Sequence, residues 1–168
     1  MSPGPGGVGS HDLAARIVRV LTERGQTVAV AESLTGGLLG AAITDIPGAS
    51  VVFRGGIIAY ATELKTALLG VPADLLAAHG PVHPDVAAAM AAGARERLGA
   101  TFGMATTGVA GPDPADGKPP GTVHIAVTAG SLPVTKALAL SGGREEVRRD
   151  TVEQVLSLLW NVLWEEGP

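Results

Sequence analysis

Apolar positions recur along this chain at two different periods, and the places where the period changes mark its elements. Leu13, Ile17, Val20 and Leu21 fall at helical spacing, which predicts a helix from about His11 to Arg24, capped by Ser10 and ended by Gly25. Thr27–Val30 is a short apolar run that reads as a strand, and Leu38–Ile43 reads as the next helix. Gly56–Tyr60 reads as a buried strand with Tyr60 at its C-terminal end. Thr62 is placed to cap a short helix carrying Glu63, Lys65, Leu68 and Leu69, which puts Lys65 in its first turn. Pro72 and Gly80 bracket a further short helix, Ala73–His79. Pro84 opens a longer, Ala-rich helix to about Leu98, where Gly99 closes it, and Gly93 within it predicts close packing against a neighbour. Phe102–Thr106, Gly121–Thr128 and Val134–Leu140 read as strands, the last two joined as a hairpin through Ala129–Pro133. A final helix runs from about Arg144 to Trp164, with Val147, Val155, Leu158, Leu159, Val162 and Leu163 on its apolar face.

Candidate chemistry gathers at the junctions between these elements. In Ala31-Glu32-Ser33-Leu34-Thr35-Gly36-Gly37, hydroxyls lie where a strand becomes a helix. Such a turn points N–H groups at whatever binds, and the glycines leave room for approach, which suits an anion or an oxygen acquiring negative charge. The plainer alternative is that Ser33 or Thr35 caps the helix. Lys65 at a helix start is disfavoured as an ammonium, so it is either solvated or kept neutral there. Thr107-Gly108-Val109-Ala110-Gly111-Pro112 leaves a strand as a loop whose backbone can come close to a ligand, or as an ordinary turn. Arg144, Arg148 and Arg149 crowd the start of the last helix, as a solvated face or as a phosphate site. His124 lies within a strand, where a hydrogen-bonded structural role is expected. His79 and His83 are interrupted by Gly80 and Pro81, so no metal site is expected from them. Gly4–Gly9 fits a dinucleotide-loop pattern with no preceding strand, and Gly117-Lys118 lacks the spacing and the hydroxyl of a phosphate loop; neither carries function.

Composition narrows the classes. With 168 residues, 46% apolar and 17% charged, the chain is long enough for one domain with a proper core. Residues 1–10, mostly Gly and Pro, are expected to form a disordered tail, and residues 11–168 the domain. A net charge of −4 without a dense Lys/Arg block argues against a nucleic-acid partner. The absence of cysteine excludes disulfides, thiolate metal sites and cysteine nucleophiles. No apolar run is long enough to span a bilayer and no secretory signal is visible, so no membrane partner and a cytoplasmic location are expected.

Five stretches, in order, carry a resemblance: Ala31–Gly37; Tyr60 with Lys65 and Leu69-Gly70-Val71; Thr107–Pro112; Lys118-Pro119-Pro120-Gly121-Thr122-Val123; and Gly143-Arg144-Glu145-Glu146-Val147-Arg148. Together they resemble the C-terminal domain of the CinA family, from about His11 to Leu163. Members with this domain are known as nicotinamide-nucleotide amidohydrolases of the PncC type, which convert nicotinamide mononucleotide to nicotinate mononucleotide and ammonia in pyridine-nucleotide salvage. The longer competence/damage-inducible members carry an additional N-terminal domain, for which this chain is expected to have no room. The resemblance implies an α/β fold: a single three-layer α/β/α domain with a mixed, mostly parallel sheet, forming a homodimer or larger homo-oligomer. It implies a serine–lysine amidase without metal or cofactor. Carried onto this sequence, Ser33 is the nucleophile, Lys65 its base, and Tyr60 a relaying or orienting hydroxyl. Thr35, Gly36, Thr107, Gly108, Ala110, Gly111 and Arg144 are the candidate substrate contacts, with the phosphate falling to the Ser33 helix or to the arginines, the latter across a dimer interface. The sequence departs from the family at Leu34, often Cys, at Thr62, often Asn, and at His83, often Ser, where a weaker helix cap is expected. A nucleotide sensor without catalysis, an amidase of different substrate, and a pyrophosphatase are the alternatives; the last normally needs carboxylate-held Mg²⁺, and the sequence has no dense acidic motif.

Overall fold

The computed structural model describes residues 9–165. The Gly/Pro stretch expected as a disordered tail lies, through residue 8, outside the described residues, as does most of the Gly4–Gly9 pattern. The described chain alternates strands and helices: α1 (Ser10–Arg24), β1 (Val28–Glu32), α2 (Leu38–Thr44), β2 (Phe53–Ile58), α3 (Thr62–Leu69), α4 (Ala73–His79), α5 (Pro84–Leu98), β3 (Phe102–Gly108), β4 (Thr122–Thr128), β5 (Val134–Ala139) and α6 (Arg144–Glu165). The five strands form one sheet in the order β2-β1-β3-β4-β5. β1 pairs parallel with both β2 and β3, while β4 runs antiparallel to β3 and β5 antiparallel to β4. Only β4 therefore opposes the common direction, the expected mixed and mostly parallel sheet.

The two faces of the sheet carry different side chains because successive residues of a strand point to opposite sides. Val28, Val30, Phe102, Met104, Val123, Ile125 and Val127 join α1, α2 and α6 in one core. Ala29, Ala31, Ala105 and Ala126 join α5 and the end of α3 in the other. The small face allows an unusually close approach. A Cβ on Gly103 would stand 2.0 Å from the Ala91 carbonyl of α5, and one on Gly93 would stand 2.0 Å from the Leu69 carbonyl of α3. The close packing expected from Gly93 is thus a helix–helix contact. It draws α3, and with it Lys65, against α5.

Several local expectations change. α1 is preceded by Gly9, with no side-chain cap, and Ser10 is its first residue. Thr62 does not cap α3 either: Ala61 precedes that helix and makes no side-chain cap bond. β2 begins at Phe53 and is a half-exposed edge strand, not a buried one, and Tyr60 lies beyond its end. The reason is topological: the sheet closes on β1 and β3, and β2 has a neighbour on one side only. His83 does cap α5, its Nδ1 accepting from the Asp85 N–H at 3.1 Å, so the imidazole serves where a hydroxyl was expected. His124 departs from the hydrogen-bonded role expected of it, since its Nδ1 is buried without a partner among the described residues. Burial, with His83 and Lys118 nearby, lowers its pKa and favours the neutral ring.

Candidate active site

β1 leads to β2 on one side and is paired with β3 on the other, so the carboxyl ends of these three parallel strands face a common crevice, the usual ligand position in such sheets. Ser33 leaves the end of β1, Tyr60 lies past the end of β2, and Thr107 to Gly111 leave β3. They border a cleft of about 440 Å³, completed by α3 and by the start of α6. That volume falls in the range of small-molecule sites, roughly 300–1,000 Å³.

The turn that presents Ser33 is held by a residue whose part was not legible in the sequence. Glu32, buried at the end of β1, accepts from the N–H groups of Gly37 (3.2 Å), Leu39 (2.9 Å) and Gly40 (3.0 Å). The carboxylate thereby caps α2, so neither Ser33 nor Thr35 does so, and their hydroxyls are free for other work. Gly36 and Gly37 take positive φ values of 57° and 110°, which a side chain would resist. A glutamate immediately ahead of the hydroxyls and the glycine pair was the available signal.

Lys65 is 1% exposed, and its Nζ donates to Ser33 Oγ at 3.1 Å and to the Ala59 carbonyl at 2.7 Å. Ser33 itself is 8% exposed, on the cleft wall. Burial lowers the lysine pKa from 10.5 to about 8, against the opposing pull of the Asp116 and Glu63 carboxylates. About a tenth of the amine is therefore neutral at pH 7. A hydroxyl bonded to a part-neutral amine is the arrangement of an activated nucleophile.

The other candidates divide into two sets. Tyr60, Thr107, Gly108, Ala110, Gly111 and Arg144 line the same cleft as Ser33 and Lys65. The Thr35 side chain and Gly36 lie behind it. The Thr35 hydroxyl pairs with that of Thr106 at 2.8 Å, and Gly36 packs against Arg148. Tyr60 is 60% exposed, and its hydroxyl accepts from Arg144 Nη2 at 3.2 Å, so its partner is the arginine at the cleft mouth. Thr107 donates to the Pro81 carbonyl at 2.7 Å, tying the β3 loop to the α4–α5 turn.

The three arginines of α6 have separate surroundings. Arg144 lines the cleft, its Nη1 donating to the Gly111 carbonyl of the same chain at 2.7 Å. Arg148 turns inward to the Leu34 (2.9 Å) and Thr35 (3.2 Å) carbonyls. Arg149 pairs with Glu145 on the surface. Asp113 and Asp116, which the sequence did not single out, complete the rim. Among the described residues, no group of three or more His, Asp or Glu side chains is arranged to hold a metal ion, and no helix is long and apolar enough to cross a membrane.

Fold and cleft define an α/β domain with a buried serine–lysine pair at the carboxyl ends of its parallel strands. The family profile of the CinA C-terminal domain matches residues 10–163, and the chain belongs to that family. It is 51% identical over 162 residues to a CinA-like protein of Frankia casuarinae, a match covering 95% of this chain and 37% of that protein. It is 48% identical over 155 residues to a CinA-like protein of Gemmatimonas aurantiaca, covering 91% and 36% respectively. The chain thus spans little more than a third of the length of these relatives. Among solved structures, the competence/damage inducible protein CihA of Agrobacterium tumefaciens superposes with a TM-score of 0.89 at 38% identity, covering 96% of this chain and 99% of that one. The competence damage-inducible protein A of Klebsiella pneumoniae gives 0.89 at 32% identity, covering 92% and 97%.

Proposed function

We propose that the cleft hydrolyses the carboxamide of nicotinamide mononucleotide, giving nicotinate mononucleotide and ammonia. The observation that carries this reading is the buried contact between Lys65 Nζ and Ser33 Oγ, with burial lowering the pKa of the amine to about 8. Neutral Lys65 takes the Ser33 proton as Oγ bonds to the carboxamide carbon, and the carbonyl electron pair moves onto oxygen. When that pair returns, the C–N bond breaks and the lysine proton leaves with the nitrogen as ammonia. Water, deprotonated by the same amine, then cleaves the acyl ester and restores the serine. Arg144 supports the mononucleotide reading: it is the arginine of the three that faces the cleft, where its guanidinium suits a phosphate. Tyr60 orients Arg144.

Ammonia release from nicotinamide mononucleotide, measured beside Ser33→Ala, tests the reading. Release by the unaltered protein and none by the variant supports it. Tight binding without ammonia favours a nucleotide sensor, and release only from other amides favours an amidase of different substrate. The assembly that goes with this reading is a homodimer or larger homo-oligomer, supported by the exposed apolar side chains Ile58, Leu64 and Leu68. Sedimentation of Leu64→Glu with Leu68→Glu is expected to give the mass of one 16.8 kDa chain.

A further inference from the structure

We propose that the backbone N–H groups of Leu34 and Thr35 form the oxyanion hole for acyl transfer to Ser33, and that Arg148 positions the second of them. This inference rests on the serine–lysine acyl-transfer reading above and adds the groups that stabilise the charge which develops on the substrate oxygen.

From Ser33 to Gly40, six of the eight backbone N–H groups have an acceptor within the protein. Ser33 donates to the Thr106 carbonyl at 3.1 Å, Gly36 to the Ser33 carbonyl at 3.1 Å and Leu38 to the Thr35 carbonyl at 3.0 Å. Gly37, Leu39 and Gly40 donate to the Glu32 carboxylate. The start of α2 is thus filled by the protein's own anion and has nothing left for a ligand; Gly36, once a candidate, is spent in the turn. Leu34 and Thr35 remain. Their N–H groups have no acceptor among the described residues, although the two residues are 3% and 0% exposed. Buried backbone donors are almost always paired in native proteins, so two consecutive unpaired ones beside a nucleophile point to an acceptor that arrives with the substrate.

Their placement fits that use. The Gly36 to Ser33 bond makes residues 33–36 a tight turn, and a serine at the first position of such a turn has its side chain over the N–H groups that follow. The amide after the nucleophile is the one that acyl-transfer sites on strand-to-helix turns commonly use. The second donor is oriented from behind. Arg148 Nε bonds the Leu34 carbonyl, which shares its peptide plane with the Thr35 N–H. That peptide is trans, as the cis bond among the described residues is Gly111–Pro112. Its N–H therefore points away from the guanidinium, and a charged donor on the carbonyl strengthens the donation. The Thr35–Thr106 hydroxyl bond resists rotation of the same residue.

The test removes single N–H groups. The leucine or threonine is replaced by the corresponding α-hydroxy acid at position 34 or 35, and acylation of Ser33 by a p-nitrophenyl ester is followed by mass spectrometry. Because this probe is not the nucleotide, a failed ammonia assay with normal acylation would count against the proposed substrate and leave the oxyanion test intact. The maximal acylation rate is expected to fall roughly 100- to 1,000-fold at each position, with little change in half-saturating ester. The same replacement at Leu38, which removes the Leu38 to Thr35 bond, is expected to change the rate less than about threefold. Arg148→Gln is expected to lower the maximal rate about tenfold without moving half-saturation, and Arg148→Lys to restore most of it. Acylation within threefold of the unaltered protein in either the position-34 or the position-35 ester, or a Leu38 ester as slow as they are, overturns the proposal. So does failure of the unaltered protein to acylate at Ser33.

Discussion

Lys65 illustrates how little a residue's neighbours in sequence say about its charge. Glu63, two residues away, pulls its pKa up, as does Asp116 on the far loop, yet burial outweighs both and brings it to about 8. At that value about a tenth of the amines are neutral at pH 7, from the titration curve alone. The rate of ammonia release is therefore expected to rise through an apparent pKa near 8 as the base loses its proton, and a profile flat from pH 6 to 9 would exclude Lys65 as the base. Asp116→Asn removes one of the two opposing carboxylates and is expected to move that midpoint downward. The measurement is kcat/KM against pH for both proteins. Lys65→Ala is expected to cost about 10²–10⁴-fold in kcat, the range for loss of a general base.

At the scale of elements, two devices fix the site from outside it. The first is Glu32, whose carboxylate closes three N–H groups of α2 and so sets the turn carrying Ser33. Glu32→Gln keeps one acceptor oxygen and is expected to lower stability by about 1–2 kcal/mol in urea unfolding and to slow turnover with little change in KM. The second is the small-residue face between sheet and α5. Gly103→Ala would put a methyl 2.0 Å from a backbone carbonyl that has no rotamer to escape into, and is expected to cost about 2–3 kcal/mol. Its melting temperature relative to the unaltered protein measures this. The first device explains why local rules misplace the cap of α2. Local rules place a cap among the residues adjoining a helix, whereas α2 is capped from the strand before it, five to eight residues upstream.

For the whole molecule, a buried lysine is a liability that the fold carries. Below pH 8 Lys65 is protonated in both folded and unfolded chains, and the folded state bears the full penalty of burying the charge. Between pH 8 and 10.5 the unfolded chain binds more protons than the folded one, so stability rises with pH across that window. The shift corresponds to about 3 kcal/mol at most. Lys65→Met is therefore expected to be inactive but more stable than the unaltered protein at pH 7, with the gain shrinking as pH rises from 8 to 10.5. Chemical denaturation at pH 7 and pH 10 checks the sign.

Apolar periodicity together with Pro and Gly punctuation was enough to find every α-helix and strand described, because amphipathic spacing and turn residues are local properties of the chain. It located α4 and α5 to the residue, since Pro and Gly punctuate them. The five motifs from Ala31 to Arg148 identified the family. Sequence could not say that Tyr60 would meet Arg144, that Arg148 would turn inward while Arg149 stayed at the surface, or that Glu32 would close α2. Those outcomes depend on partners up to 114 positions apart, and three arginines at one helix start look alike until another element packs on each. A lysine's position in a helix can be read from the chain; its neutrality is decided by how much of the folded molecule excludes water from it.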